Sequence, residues 1–144
     1  MGNRLECGAT TASELLFISA AMNSEVNSVA RKILLVEDDA AVRQSIKLLL
    51  NIDRHTVTEA ANGLEALHIF TGSRYDLVIT DYLMPGMLGD ELARNIKNIA
   101  PAQPILMVTA YFEKLVDDGR PADAVLAKPL SIDDLRRAMA WPTN

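Results

Sequence analysis

Ile33-Leu34-Leu35-Val36, running straight into Glu37-Asp38-Asp39, is the stretch from which the fold is read. A short continuous apolar run reads as a strand buried on both faces, as in a parallel sheet covered by helices. The pattern recurs. Leu77-Val78-Ile79-Thr80 ends in Asp81, Ile105-Leu106-Met107-Val108 ends in Thr109, and Ala124-Val125-Leu126-Ala127 ends in Lys128-Pro129. In such a sheet all carboxyl ends share one edge, and ligands bind where the strand order reverses. Function is expected at that edge.

Between these runs the pattern is helical, so that from Lys32 onward strand and helix alternate about five times, the mark of an α/β fold. Asp39 is placed to cap a helix over about Ala40 to Leu50, with Val42, Ile46, Leu49 and Leu50 on one face. Thr56 to Ala60 alternates in polarity, which suits an edge strand. Asn62-Gly63 opens a second helix carrying Leu64, Leu67, Ile69 and Phe70. The loop Met84-Pro85-Gly86 leads to a third helix with Leu88, Leu92, Ile96 and Ile99 in a stripe, which Pro101 and Pro104 separate from the next strand. Phe112 to Asp117 has room only for a short helix before Gly119 and Pro121. Ser131, with Asp134 three residues on, caps the last helix, whose inward residues are Ile132, Leu135 and Met139. Residues 1–29, rich in Ser, Thr, Ala and Asn, are expected to be a loose N-terminal extension, with Thr11 and Glu14 as a candidate capping box for a short helix. Residues 30–144 are expected to be the folded domain.

The bulk properties narrow the class of function. A chain of 144 residues with 49% hydrophobic content is long and apolar enough for one packed core. A formal net charge of −5, with no cluster among its 14 Lys and Arg, argues against a nucleic-acid or anionic-membrane surface. Cys7 is the single cysteine, so no internal disulfide forms, and a reducing cytoplasm is expected. No apolar run approaches the roughly 20 residues that cross a bilayer. Leu15 to Ile18 is a short apolar core preceded by Glu6 and Glu14, a poor signal peptide.

Glu37, Asp38 and Asp81 end the first and third strands, which flank the switch point if the order is 2-1-3-4-5, as in flavodoxin-like sheets. Carboxylates pressed together repel one another and raise each other's pKa. Mg²⁺ offsets that repulsion: it takes oxygen ligands, keeps several waters, and is held by one or two carboxylates together with phosphate oxygens. Thr109 and Lys128 supply a hydroxyl and a mobile ammonium for phosphoryl oxygens. Positioning and charge neutralisation are most of what phosphoryl transfer requires, and Asp81 is the natural nucleophile. Taken singly, each residue has a plainer reading, as a helix cap, a turn or a solvated strand end. Four such residues at four strand ends favour a shared site. His55 and His68 have no ligand-spaced partners and read as ordinary side chains.

Over about residues 31–141 the chain resembles the receiver domain of bacterial two-component response regulators, here of the stand-alone type. The resemblance rests on Ile33 to Asp39, on Asp76 to Gly89 with its Asp81-Tyr82-Leu83-Met84-Pro85-Gly86, on Ile105 to Ala110, and on Lys128-Pro129. It implies a doubly wound sandwich around a five-stranded parallel sheet, with Asp81 as phosphoacceptor. Mg²⁺ would be bound by Glu37, Asp38, Asp81 and the Leu83 carbonyl, and the phosphoryl group by Thr109 and Lys128. It also implies a cis Lys128-Pro129 peptide, which proline makes accessible. The donor would be phosphohistidine on a histidine kinase or a histidine phosphotransfer protein, with a downstream protein target and no nucleic acid or membrane as partner.

Two departures stand out. Val125 occupies the position where the family usually has Tyr or Phe, and the stretch from Thr109 to Lys128 is a few residues short. Leu83 and Tyr111, two residues beyond Asp81 and Thr109, flank the site in this family, and their apolar bulk is expected to hinder the hydrolytic water and lengthen the life of the phosphorylated state. The competing readings are a receiver-like scaffold that acts without phosphorylation, and a Mg²⁺-dependent aspartyl phosphatase. The second would commonly carry another acid where this chain has Leu83.

Overall fold

The computed structural model describes residues 30–111 and 121–140. Their order is β1 (Lys32–Val36), α1 (Ala40–Ile52), β2 (Thr56–Ala60), α2 (Gly63–Thr71), β3 (Leu77–Asp81), α3 (Gly89–Ile99), β4 (Ile105–Thr109), β5 (Ala124–Ala127) and α4 (Ile132–Met139). All strand pairs are parallel, and the sheet order is β2-β1-β3-β4-β5. From β1 the chain steps to one side to form β2, then crosses back to β3. The order therefore reverses between β1 and β3. The candidate capping box at Thr11 and Glu14 and the short helix expected over 112–117 lie outside the described residues.

The apolar runs of β1, β3 and β4 form the centre of the sheet and are buried on both faces. The fourth run, Ala124–Ala127, expected to be buried likewise, is the edge strand β5 and is only half-buried, because among the described residues no strand lies beyond it. Alternate residues along a strand point to opposite sides, and two cores result. Leu34, Val36, Val78 and Ile105 pack with Ala66 and Phe70 of α2 and with Leu92, Ala93 and Ile96 of α3. On the other face Ile33, Leu35, Leu77, Ile79, Leu106 and Val108 pack with Ile46 and Leu50 of α1 and Leu135 of α4. Each such aliphatic side chain gains about 1.5–3 kcal/mol from full burial.

The helix starts follow local rules. The Asp39 carboxylate accepts from the Ala41 and Val42 amides, at 2.9 and 3.1 Å. Asn62 Oδ1 accepts from the Glu65 amide at 2.8 Å, while Glu65 Oε1 accepts from the Ala61 amide. At α4, Ser131 and Asp134 form a reciprocal capping box. The helix α1 runs two residues past Leu50 and ends at Asp53, whose N–H reaches the Leu50 and Asn51 carbonyls.

Three residues expected to face inward do not. Leu64 is 72% exposed, Ile99 52% and Leu88 38%. Leu64 sits in the first turn of α2, where Gly63 takes the inward position because an added Cβ would lie 2.6 Å from Met87 Sδ. Leu88 is the residue before α3, and Ile99 its last, so both lie off the sheet-covering middle turns that bury Leu92, Ala93 and Ile96.

Candidate functional site at the carboxyl edge of the sheet

The pairing of β1 with β3 puts Leu35 opposite Ile79 and Val36 opposite Thr80. One residue further on, Glu37 and Asp81 leave adjacent strands side by side. Asp38 follows Glu37, and one carboxylate oxygen from each of Glu37, Asp38 and Asp81 lies within 4.8 Å of the other two. Glu37 is 1% and Asp81 7% exposed, whereas Asp38 is open to solvent.

Lys128, just after β5, reaches this cluster. Its Nζ lies 2.7 Å from Glu37 Oε1 and 3.2 Å from Asp81 Oδ1. Burial pushes the Glu37 carboxyl above the ordinary glutamate value and the Asp81 charge adds to that, against the opposing pull of Lys128 and the Asp39 amide. Burial alone would lower the Lys128 ammonium, but the Glu37 hydrogen bond and the charges of Asp81 and Glu37 outweigh it and hold the pKa above the ordinary lysine value. Three carboxyl groups against one ammonium give the site a formal charge of −2. A hard divalent cation suits that charge and this all-oxygen donor set.

The remaining expected residues gather at the same edge. Thr109 ends β4, wholly buried, with its Oγ1 accepting from the Tyr111 amide at 2.9 Å and its carbonyl accepting from the Lys128 amide. The Lys128-Pro129 peptide is cis. Leu83 lies in the loop after β3 and is 51% exposed, and Tyr111 is 45% exposed. Val125 sits in β5 opposite Met107, half-buried.

Residues to which the sequence reading gave no role of their own complete the frame. The Tyr82 amide donates to Asp81 Oδ1 at 2.9 Å and also to the Val108 carbonyl. Thr80 Oγ1, buried, donates to the Asp81 carbonyl. Gly89 N–H donates to the Tyr82 carbonyl at 2.7 Å, and a Cβ there would collide with the Asp81 carbonyl oxygen. Arg43 Nη1 donates to the Glu37 carbonyl at 2.6 Å. Gly89 could have been suspected from its place where the loop after Met84-Pro85-Gly86 becomes helix. The Arg43 contact leaves no local trace.

Residues 33–140 match the family model of the response regulator receiver domain. The chain belongs to the response regulator receiver family. Sporulation initiation phosphotransferase F of Bacillus subtilis (strain 168) is 36% identical over 111 residues, covering 75% of this chain and 90% of that protein. Response regulator MprA of Mycobacterium sp. (strain KMS) is 34% identical over 111 residues, covering 75% of this receiver chain but 48% of its own length, so the match spans about half of MprA. Among solved structures, the receiver is similar to response regulator protein TrrA from Thermotoga maritima in complex with Mg(2+)-BeF. The TM-score is 0.72 at 33% identity, covering 76% of this chain and 96% of TrrA. The receiver is thus a phosphorylation-signalling domain of a two-component response regulator. Among its described residues, no helix is long and apolar enough to cross a membrane.

Proposed function

We propose that this receiver takes a phosphoryl group onto Asp81 from a phosphohistidine carried by a histidine kinase or a histidine phosphotransfer protein, and that the phosphorylated chain changes which protein it binds. One Asp81 carboxylate oxygen bonds to phosphorus as the P–N bond to the donor histidine breaks, and the electron pair of that bond leaves with the imidazole. The observation that carries this reading is the buried Asp81 carboxylate beside two further acids within 4.8 Å, with the Lys128 ammonium at 3.2 Å. Glu37, Asp38, Asp81 and the Leu83 carbonyl would hold Mg²⁺. Bound there, the ion supplies charge neutralisation for the phosphoryl oxygens.

The protein's own groups do the rest. Lys128 provides the second positive charge, and the Thr109 hydroxyl a donor, for the oxygens of the transferred group. The Tyr82 amide on Asp81 Oδ1 orients the carboxylate, leaving Oδ2 as the attacking atom. The TrrA relative was solved in complex with Mg(2+)-BeF, which supports Mg²⁺ as part of this receiver's chemistry. In this reading the chain works in the cytoplasm, where such kinases present their phosphohistidine.

The test is incubation with Mg²⁺ and acetyl phosphate, followed by assay for a base-labile adduct. The wild-type chain forms the adduct, Asp81→Asn does not, and chelation of the cation suppresses it. A wild-type chain that stays unmodified sinks this reading in favour of a scaffold acting without phosphorylation. Continuous phosphate release from varied substrates would favour a phosphatase.

A further inference from the structure

Arg43 lies one turn into α1, outside the cluster of acids, yet its guanidinium ties the acidic turn to the neighbouring strand. Nη1 donates to the Glu37 carbonyl at 2.6 Å, and Nε donates to Glu59 Oε1 at 3.2 Å. Glu59 belongs to β2, where it pairs in register with Leu35 of β1. Its second oxygen accepts from Lys47 Nζ at 2.8 Å, one helical turn further along α1. Glu59 is therefore held by two cations, and its carboxyl pKa is lowered, first by the Lys47 hydrogen bond.

The Glu37 backbone is gripped on both sides. Its N–H donates to the Ala60 carbonyl at 3.1 Å, its C=O accepts from Arg43, and its Oε2 accepts from the Asp39 amide at 3.1 Å. The Glu37 carbonyl is half of the peptide group whose other half is the Asp38 N–H. A change in the Glu37 ψ angle, which turns that carbonyl away from Arg43, carries the Asp38 Cα–Cβ bond with it. Asp38 itself is exposed, so packing does not fix its direction; the backbone before it must.

We propose that Arg43 is a positioning residue for the cation site, acting through the Glu37–Asp38 peptide to aim the Asp38 carboxylate at the oxygens of Glu37 and Asp81. The inference rests on the metal-binding reading above. The planar guanidinium suits the task because two of its N–H groups span two fixed acceptors at once, which a lysine ammonium on a flexible stem does not reproduce. Outer-shell contacts of this kind are worth roughly 10–100-fold in metal affinity.

Electrostatics alone predicts the opposite sign. Arg43 is a positive charge near a cation site, so removing it would tighten cation binding through space, whereas loss of positioning weakens it. The full chain is titrated with Mg²⁺ by calorimetry, and with Mn²⁺ by electron paramagnetic resonance. Arg43→Met, Arg43→Lys and Lys47→Met are compared with wild type, and each variant's thermal melt in chelator reports its fold. Both Arg43 variants are expected to bind about 10-fold more weakly, and Lys47→Met, which leaves the Glu37 contact in place, to bind as wild type does. If Arg43→Met does not fold, Arg43→Lys decides alone, since it keeps the charge and lacks the fork. Unchanged or tighter binding in a folded Arg43 variant overturns the inference, as does an equal loss in Lys47→Met. A wild-type chain that takes up neither cation overturns the metal reading and this inference together.

Discussion

Asp81 and Glu37 are buried acids at a crowded edge, and the interactions that hold them there are the ones the proposed chemistry would use. Lys128 keeps both partly neutralised at 3.2 and 2.7 Å, so the fold tolerates the cluster before any ligand arrives. The same ammonium must be shared once a phosphoryl group is present. Two half-exposed side chains are expected to control how water reaches that group. Leu83 and Tyr111 are 51% and 45% exposed, two residues beyond Asp81 at the end of β3 and Thr109 at the end of β4. Replacing both with asparagine is expected to shorten the phosphate half-life several-fold. The check is adduct decay after removal of acetyl phosphate, and a half-life equal to wild type would count against a shielding role.

At the scale of elements, the site depends on how closely α3 follows β3. Gly89, the first residue of α3, donates to the Tyr82 carbonyl and passes directly over the end of β3, where an added Cβ would meet the Asp81 carbonyl oxygen and lie 2.9 Å from Tyr82 Cα. Both obstacles are backbone, so neither can rotate aside. Gly89→Ala is expected to cost about 1–3 kcal/mol, the usual range for forcing extra volume into a packed contact. It should also slow acetyl phosphate labelling by displacing Asp81. Denaturant melts alongside labelling rates test this, and a variant as stable and as quickly labelled as wild type would show that α3 can shift freely. Legibility varied from element to element. The start of α1 could be read because Asp39 caps it through its own neighbours. On α2, Leu67, Ile69 and Phe70 meet the core as read, whereas the first turn could not be read, because Met87 from another loop packs against Gly63 and Leu64 stays outside.

Across the whole molecule, α4 is tied back to α1 by Arg136, whose Nε and Nη2 each lie 2.8 Å from the Asp53 carboxylate, and the loop after α1 is tied to the start of β1 by the Arg31 amide donating to His55 Nδ1. The Arg136 hydrogen bonds hold the Asp53 carboxyl below its ordinary value, and burial holds the His55 imidazole below its own. Both shifts make the fold lose stability on acidification, in different windows. A base with a lowered folded pKa disfavours the folded state as pH falls below its unfolded value, near 6.5 for His55. An acid with a lowered folded pKa stabilises above its unfolded value, near 3.8 for Asp53, and that contribution disappears as pH falls through the folded value. Thermal melts should therefore show a first decline below about pH 6.5 that flattens in His55→Gln, and a second below about pH 3.8 that flattens in Asp53→Asn; profiles parallel to wild type would refute these assignments. The sequence alone determined that this chain builds a sheet of buried strands with acids, a threonine and a lysine at its carboxyl edge, because an apolar run halted by a polar residue is a local pattern. Tertiary structure decided which side chains touch. Glu37 and Lys128 meet across 91 positions, and Arg43 of α1 meets Glu59 of β2. Such contacts arise from register and helix packing between distant segments, which the periodicity of any one segment does not encode.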